Sequence, residues 1–261
     1  MRLGRIPRKQ TAQHEHFIAA MKNIERIVSR DQYEQEKSKA IGRVKIHSGK
    51  RPAFAWSGGK DSIALAVVCE AAGVYECCLG MSNLEYPAFL QWITDHMPHE
   101  LSVYSNGWDM DWLVKNQTML FPKTSRVAGE WFKGTQHEAQ KRFFKDSQAT
   151  TLFLGRRLAD GNFCGKDFAY ESNGVYRVSP IADWSHEQVL ACLHYENKSH
   201  DLPPFYRWPR GYRCGTHSWP ARQWCDSDYH GWSEIYEIDP SIVRQADSAG
   251  IDSAKKYMDL M

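Results

Sequence analysis

Apolar residues near the start of the chain recur at three- and four-residue steps: Phe17, Ile18, Met21, Ile24 and Ile27, within a stretch from Thr11 to about Lys39. That period puts them on one face, so the stretch predicts an amphipathic helix lying against something larger. Pro52 then opens a short apolar strand, Ala53 to Trp56. After two glycines, Ser62 to Ala72 is rich in Ala, Leu, Ile and Val and closed by Gly73, the pattern of a buried helix with a glycine at its end. Tyr75 to Gly80 reads as a second strand, Pro87 to Met97 as a helix with proline in its first turn and Pro98 ending it, and Glu100 to Tyr104 as a third strand. Strand and helix alternating in this way predict right-handed crossovers and a parallel sheet.

Thr150 to Leu154 adds an apolar strand that runs into Gly155, Arg156 and Arg157. Phe168 to Val178 has two alternating arms around Asn173-Gly174, the pair favoured in a type I′ turn, so a hairpin is expected. Ser185 with Gln188 three residues on has the form of a capping box, and Val189, Leu190 and Leu193 continue as one helical face. Beyond Asp201 the texture changes to prolines, arginines and aromatics with little periodicity. The expected organisation is a basic arm and N-terminal helix over 1–45, an α/β domain over 46–184 and a helical or irregular substrate cap over 185–261.

The 261 residues are 42% hydrophobic and 25% charged, enough for one large core with appendages. A net charge of +2 makes no general case for wrapping nucleic acid, so a basic site must be local. Seven cysteines, no recognisable signal peptide and no apolar run approaching the ~18 residues of a membrane span predict a cytoplasmic protein with reduced thiols.

The strand ending in Ser57-Gly58-Gly59-Lys60-Asp61-Ser62 enters a helix, which places backbone N–H groups and a positive helix end at the carboxyl edge of a sheet. Phosphate suits that place. The glycines admit a close approach, the Ser57 and Ser62 hydroxyls are donors, and Lys60 is a point charge. Asp61 beside phosphates points to magnesium or an oriented water. A Walker A loop at Ser48-Gly49-Lys50 fails, because Gly42 is wrongly spaced, Arg51 follows the lysine and no apolar strand precedes it.

SGGKDS in this setting resembles the PP-loop of the ATP-pyrophosphatase superfamily, and further segments resemble its phosphoadenosine phosphosulfate (PAPS) reductase-like branch. Leu84-Glu85-Tyr86-Pro87 is similar to the segment after the second strand, and Leu154-Gly155-Arg156-Arg157 to the second anion site. Ser179-Pro180-Ile181-Ala182-Asp183-Trp184-Ser185 matches a further signature, and Leu202-Pro203-Pro204, Gly211-Tyr212 and Gly215-Thr216-His217 follow in the family's order. The resemblance implies an adenine nucleotide alpha hydrolase-like fold: a mainly parallel twisted sheet with helices on both faces, a helical N-terminal extension and an irregular C-terminal cap. It also implies ATP with magnesium, Ser57, Gly58, Gly59, Lys60, Asp61 and Ser62 as the phosphate grip, Gly155 with Arg156 and Arg157 as the second anion site, and Asp61 as magnesium ligand.

The chain departs from the family in three places. No ECGLH-like motif follows Cys225, the last cysteine, so the tail lacks the thiolate that attacks a sulfonate. Cys77-Cys78 has no later Cys-x-x-Cys with which to hold a [4Fe–4S] cluster. Met81-Ser82-Asn83 stands where Asp-Thr-Gly is usual, leaving Ser82 and Asn83 as candidates for a ribose or base edge.

Cys214, His217, Cys225 and His230 form a set that zinc accepts, or else belong to the substrate loop and the surface. Arg207, Arg210, Arg213 and Arg222, interleaved with tryptophans and tyrosines, either close over a ligand or fill a small core of their own. The reading the resemblance favours is ATP-dependent adenylation of an acceptor with release of pyrophosphate, serving sulfur or amine transfer to a nucleic acid or small molecule. Thiol-dependent PAPS reduction and a non-catalytic nucleotide-binding module are the alternatives, and the acceptor and self-association stay open.

Overall fold

The computed structural model describes residues 14–208, 217–222, 225 and 227–261. The basic arm at Arg2 to Lys9 lies outside the described residues. The chain divides into two compact units: one built from the residues up to Leu79 with Asp95–Ser102 and Arg142–Pro203, the other from Gly80–Thr94, Val103–Lys141 and Pro204–Met261.

Among the described residues six strands form one sheet: β1 (Pro52–Ala55), β2 (Glu76–Met81), β3 (Glu100–Ser105), β4 (Thr151–Phe153), β5 (Ala169–Ser172) and β6 (Val175–Val178), in the spatial order β3, β2, β1, β4, β6, β5. β1 runs parallel to β2 and β4, β4 runs parallel to β6, and β5 turns back antiparallel to β6. Asn173 (φ 52°) and Gly174 (φ 72°) supply the two positive φ angles that the hairpin's I′ turn demands. Phe54, Cys77, Leu79, Leu152 and Phe153 are fully buried, as a sheet covered by helices requires. The chain thus has the expected α/β architecture with a mainly parallel sheet.

In the first unit the helices Arg30–His47, Lys60–Ala71 and His186–Tyr195 pack on one another. The sequence pattern predicts one N-terminal helix, whereas the chain forms three pieces, His14–Lys22, Ile24–Ile27 and Arg30–His47. The last break has a local cause. Ser29 accepts from the Gln32 N–H at 3.3 Å while its own N–H donates to the Gln32 side chain at 3.0 Å, so a new helix starts there.

In the second unit the chain end is more regular than the sequence texture suggests. Asp228–Ile238, Pro240–Ser248 and Asp252–Met258 are helices packed on one another. Ser227 and Asp239 cap the first two, each accepting from a backbone N–H of the first turn. Trp232 is fully buried among them, with Nε1 donating to Ser253 Oγ at 3.0 Å.

Candidate functional site

The strand order reverses beside β1: β2 lies on one side and β4 on the other, all parallel. In open α/β sheets the carboxyl ends of the strands flanking such a reversal frame a crevice where ligands bind. β1 leads into Ser57–Lys60 and β4 into Gly155–Arg157, so the reversal brings together the two segments that the sequence reading expects to bind anions. Their approach is measurable. A Cβ on Gly155 would stand 3.0 Å from the Asp61 carbonyl oxygen, tighter than most side-chain contacts, and 3.4 Å from the Ser62 nitrogen.

Gly58 turns the loop with φ 70°, a conformation that other residues adopt only under strain. Gly59 then caps the helix Lys60–Ala71 with no side chain bonded to the helix end, which leaves the first-turn N–H groups facing outward. The Ser62 hydroxyl accepts from the Ser57 N–H at 3.1 Å and donates to the Gly59 carbonyl at 2.9 Å, and Ser57 Oγ lies 3.3 Å from it. Ser62 therefore shapes the loop from within, and its proton points at the backbone rather than outward as the sequence reading expects.

Asp61 ties the two halves together. Lys60 Nζ donates to its Oδ2 at 2.7 Å and Arg157 Nε to its Oδ1 at 2.8 Å. Burial would raise the carboxyl pKa, but the Arg157 and Lys60 charges overcome it and hold Asp61 well below the usual carboxylate range. Arg157 is 0% exposed, and the rest of its fork donates to the Trp184 carbonyl (3.2 Å), Asp160 (3.1 Å) and His186 Nδ1 (3.2 Å). An arginine so enclosed organises the loop and does not face a ligand. Arg156 is half-buried and donates to Tyr170 Oη at 2.8 Å, making it the accessible cation after β4.

His186, which the sequence reading leaves without a role, belongs to this brace. Because a guanidinium only donates, Nδ1 must accept and the ring's proton sits on Nε2. Burial, followed by the Arg157 and Lys60 charges, pushes its pKa down to about 3. Asp183 takes both oxygens to Arg43, at 2.7 and 2.6 Å, and Ser185 caps the helix from His186. The Asp183-Trp184-Ser185 segment is thus the scaffold that presents Trp184 and His186 to Arg157.

Ser82 and Asn83 lie in the second unit. Ser82 is buried, with both its N–H and its hydroxyl donating to Glu85 Oε1, at 2.8 and 2.9 Å, so its polar groups are already engaged. Asn83 is exposed, and its Oδ1 accepts from Ser105 at 2.6 Å. Glu85 is 5% exposed; it also accepts from Ser218 Oγ at 2.7 Å and from His217 Nδ1. Burial opposes its ionisation, but His217 and the hydroxyl and amide donors prevail and hold its pKa below the ordinary glutamate value. This cluster escapes sequence reasoning because 132 residues separate Glu85 from His217.

Cys214 lies outside the described residues, and His217, Cys225 and His230 do not come together as a metal-holding group among the described residues. His217 is bound to Glu85, while His230 Nε2 stands 3.5 Å from Glu234. Arg222 and Trp219 are buried in the second unit, Arg222 donating to Glu234 at 2.7 Å, so these two fill a core. Arg210, Tyr212, Arg213 and Trp224 lie outside the described residues.

Asp61, the expected magnesium ligand, is the ion-pair partner of Lys60 through Oδ2 and of Arg157 through Oδ1. The described cysteines are all free thiols. Burial pushes Cys78 and Cys192 up to about 12 and raises Cys69, Cys77 and Cys164 as well, which leaves them poor nucleophiles. Among the described residues no helix is long and apolar enough to cross a membrane.

No protein-family model matches the chain. Curated relatives are phosphoadenosine 5′-phosphosulfate reductases. One from Aliivibrio fischeri is 23% identical over 178 residues, spanning 66% of this chain and 69% of the relative. One from Salmonella heidelberg is 26% identical over 137 residues, so the matched segment covers about half of each protein, 52% and 54%. Solved structures similar in fold include a PAPS reductase from Candida auris in a phosphate complex, with TM-score 0.48 and 12% identity, covering 72% of this chain and 88% of that one. An NMN synthetase from Francisella tularensis has TM-score 0.48 and 13% identity over 66% of this chain and 74% of its own. A U34-tRNA thiolase from Methanococcus maripaludis with a [4Fe–4S] cluster has TM-score 0.44 and 14% identity over 99% and 87%. The curated matches bear out the resemblance to phosphoadenosine phosphosulfate reductases.

Proposed function

We propose that this PAPS reductase-like protein binds ATP on the Ser57–Ser62 loop and transfers its adenylyl group to an acceptor, releasing pyrophosphate. The observation that supports the reading is the meeting of the Ser57–Ser62 loop and the Gly155–Arg157 segment at the strand-order reversal, where Gly155 packs against Asp61 and Asp61 joins Lys60 to Arg157. The outward N–H groups of Gly59 to Asp61 hold the phosphates that leave. Lys60 and Arg156 stabilise the charge that develops on them. Asp61 and Arg157 act as positioning residues: they fix Lys60 and the loop before substrate arrives, so little reorganisation accompanies the reaction. No step is assigned to magnesium.

A sulfur or amine donor then attacks the adenylated acceptor and displaces AMP as the leaving group, and a nucleic acid or a small molecule serves equally as acceptor. The free thiols fit a reducing, cytoplasmic setting. The curated relatives' names favour a second reading, reduction of PAPS. It requires an external thiol or Cys225, which is the one described cysteine not fully buried. Release of labelled pyrophosphate from ATP with candidate acceptors tests the first reading against a Lys60→Ala variant, with equal release counting against it. Sulfite formed from PAPS and thioredoxin would favour the second.

A further inference from the structure

Phe163, in the first unit, presents a phenyl ring that is 69% exposed, although the loop that carries it is tightly built. The Asn162 N–H donates to the Arg157 carbonyl at 3.2 Å, Cys164 is buried, and the Ser179 N–H donates to the Phe168 carbonyl at 2.8 Å. Gly165 has no room for a side chain, since a Cβ there would stand 2.2 Å from the Ala169 carbonyl oxygen. Asp167 and Phe168 both hold positive φ, 51° and 64°, which residues with side chains adopt only under restraint. A loop held at so many points keeps Phe163 in water, although burying such a ring would be favourable.

The ring has neighbours of one kind. Its centre lies 5.2 Å from that of Tyr170, whose hydroxyl accepts from Arg156. Tyr170 on β5 pairs directly with Arg177 on β6, so their side chains share one face of the hairpin, and Glu171 falls on the opposite face by strand alternation. The Arg177 guanidinium lies 5.6 Å from the centre of the Phe144 ring, and the Ser172 and Val175 carbonyls fix its Nη1. Phe163, Tyr170, Arg156, Arg177 and Phe144 therefore form one strip of interleaved rings and guanidiniums, the last four half-buried. Cross-strand packing accounts for Tyr170, Arg177 and Phe144, but not for a water-facing phenyl at the end of the strip. At Arg156 the strip adjoins the Ser57–Ser62 loop, because Gly155 packs against Asp61.

Aromatic faces accept bases of any sequence and guanidiniums accept the phosphates between them, the combination that holds single strands; a duplex hides its base faces. We propose that this strip binds the acceptor, and that the acceptor is a single-stranded nucleic acid. One base stacks on Phe163, the strand's phosphates lie against Arg177, and Arg156 marks where the strand meets the nucleotide. The chain's net charge of +2 requires such a basic site to be local, as this one is. The strand's role as acceptor rests on the adenylyl-transfer reading, whereas its binding does not.

The test uses the full chain without ATP and a fluorescein-labelled single strand of about twelve nucleotides and mixed sequence, made once as RNA and once as DNA. Binding is read by anisotropy. At least one of the two strands binds, Phe163→Ala weakens it at least about fivefold, the lower end of what one base stack contributes, and Phe163→Trp binds at least as tightly as the wild type. Strands carrying bromouracil, irradiated on the wild type, cross-link to the peptide that holds Phe163, as read by mass spectrometry. Cross-links confined to other peptides overturn the proposal, and that result depends on no variant's folding. Failure of both strands to bind, or equal binding by Phe163→Ala, also overturns it and leaves adenylyl transfer to a small acceptor standing. A fall in ATP affinity by calorimetry in Phe163→Ala, with strand binding unchanged, assigns the ring to ATP's own base and likewise overturns it. Strand binding at Phe163 with no pyrophosphate released from ATP overturns the adenylyl-transfer reading and leaves the strand site in place.

Discussion

Lowering the pH from 7.5 to 5.0 should weaken the first unit through one residue, His186. Its ring is held neutral by burial and by the Arg157 and Lys60 charges, with Asp61 as the one opposing charge and the Phe17 ring at its edge, 5.4 Å between centroids. With its pKa pushed from 6.5 to about 3, the native state stays unprotonated while the unfolded chain takes up a proton. Stability is therefore complete above pH 6.5 and falls as the pH drops below it. Over the one and a half units down to pH 5.0 the loss is about 2 kcal/mol, at about 1.4 kcal/mol per unit. Asp61, Glu85 and Glu196 have depressed values, so their contributions persist to lower pH and do not confuse this window. The assay is urea unfolding at pH 7.5, 6.0 and 5.0 for the wild type and His186→Asn, whose amide oxygen can take the place of Nδ1 as acceptor for Arg157. The wild type should lose about 2 kcal/mol more than the variant between pH 7.5 and 5.0. Parallel losses would refute the reasoning.

Further outcomes follow from the same site. Gly155→Ala places a methyl 3.0 Å from the Asp61 carbonyl, so it should cost about 1–3 kcal/mol in urea unfolding and weaken ATP binding in calorimetry. Arg156→Ala should reduce ATP affinity about tenfold or more while moving stability by less than about 0.5 kcal/mol, since its one described side-chain partner is Tyr170. Iodoacetamide at pH 8 on the native protein should label Cys225 and spare Cys69, Cys77, Cys78, Cys164 and Cys192, as read by peptide mass spectrometry.

The phosphate loop was legible because its chemistry is local: an apolar strand, glycines at the turn and an apolar helix are contiguous, and the structure keeps that order. The hairpin at Asn173-Gly174 and the Ser185 cap were legible for the same reason. What the sequence could not divide was labour among neighbours. Arg156 and Arg157 are adjacent and alike in type, yet burial turns one into a brace and leaves the other accessible. Ser82 and Glu85 showed the same limit: Ser82 read as a ligand contact and Glu85 as a motif letter, until the fold brought His217 and Ser218 to complete their cluster. The C-terminal helices were masked by a scatter of aromatics and prolines, although Ser227-Asp228 and Asp239-Pro240 are ordinary helix starts.

The central claim is that the loop of Ser57 to Ser62 directs cleavage between the α- and β-phosphates. The direct measurement follows ATP labelled at the α-phosphorus in one sample and the γ-phosphorus in another, with wild type and Lys60→Ala, across candidate acceptors. The account predicts γ-label in pyrophosphate, α-label in AMP or an adenylated acceptor, and loss of both products in the variant. Label appearing as orthophosphate and ADP, or equally in both proteins, would contradict it.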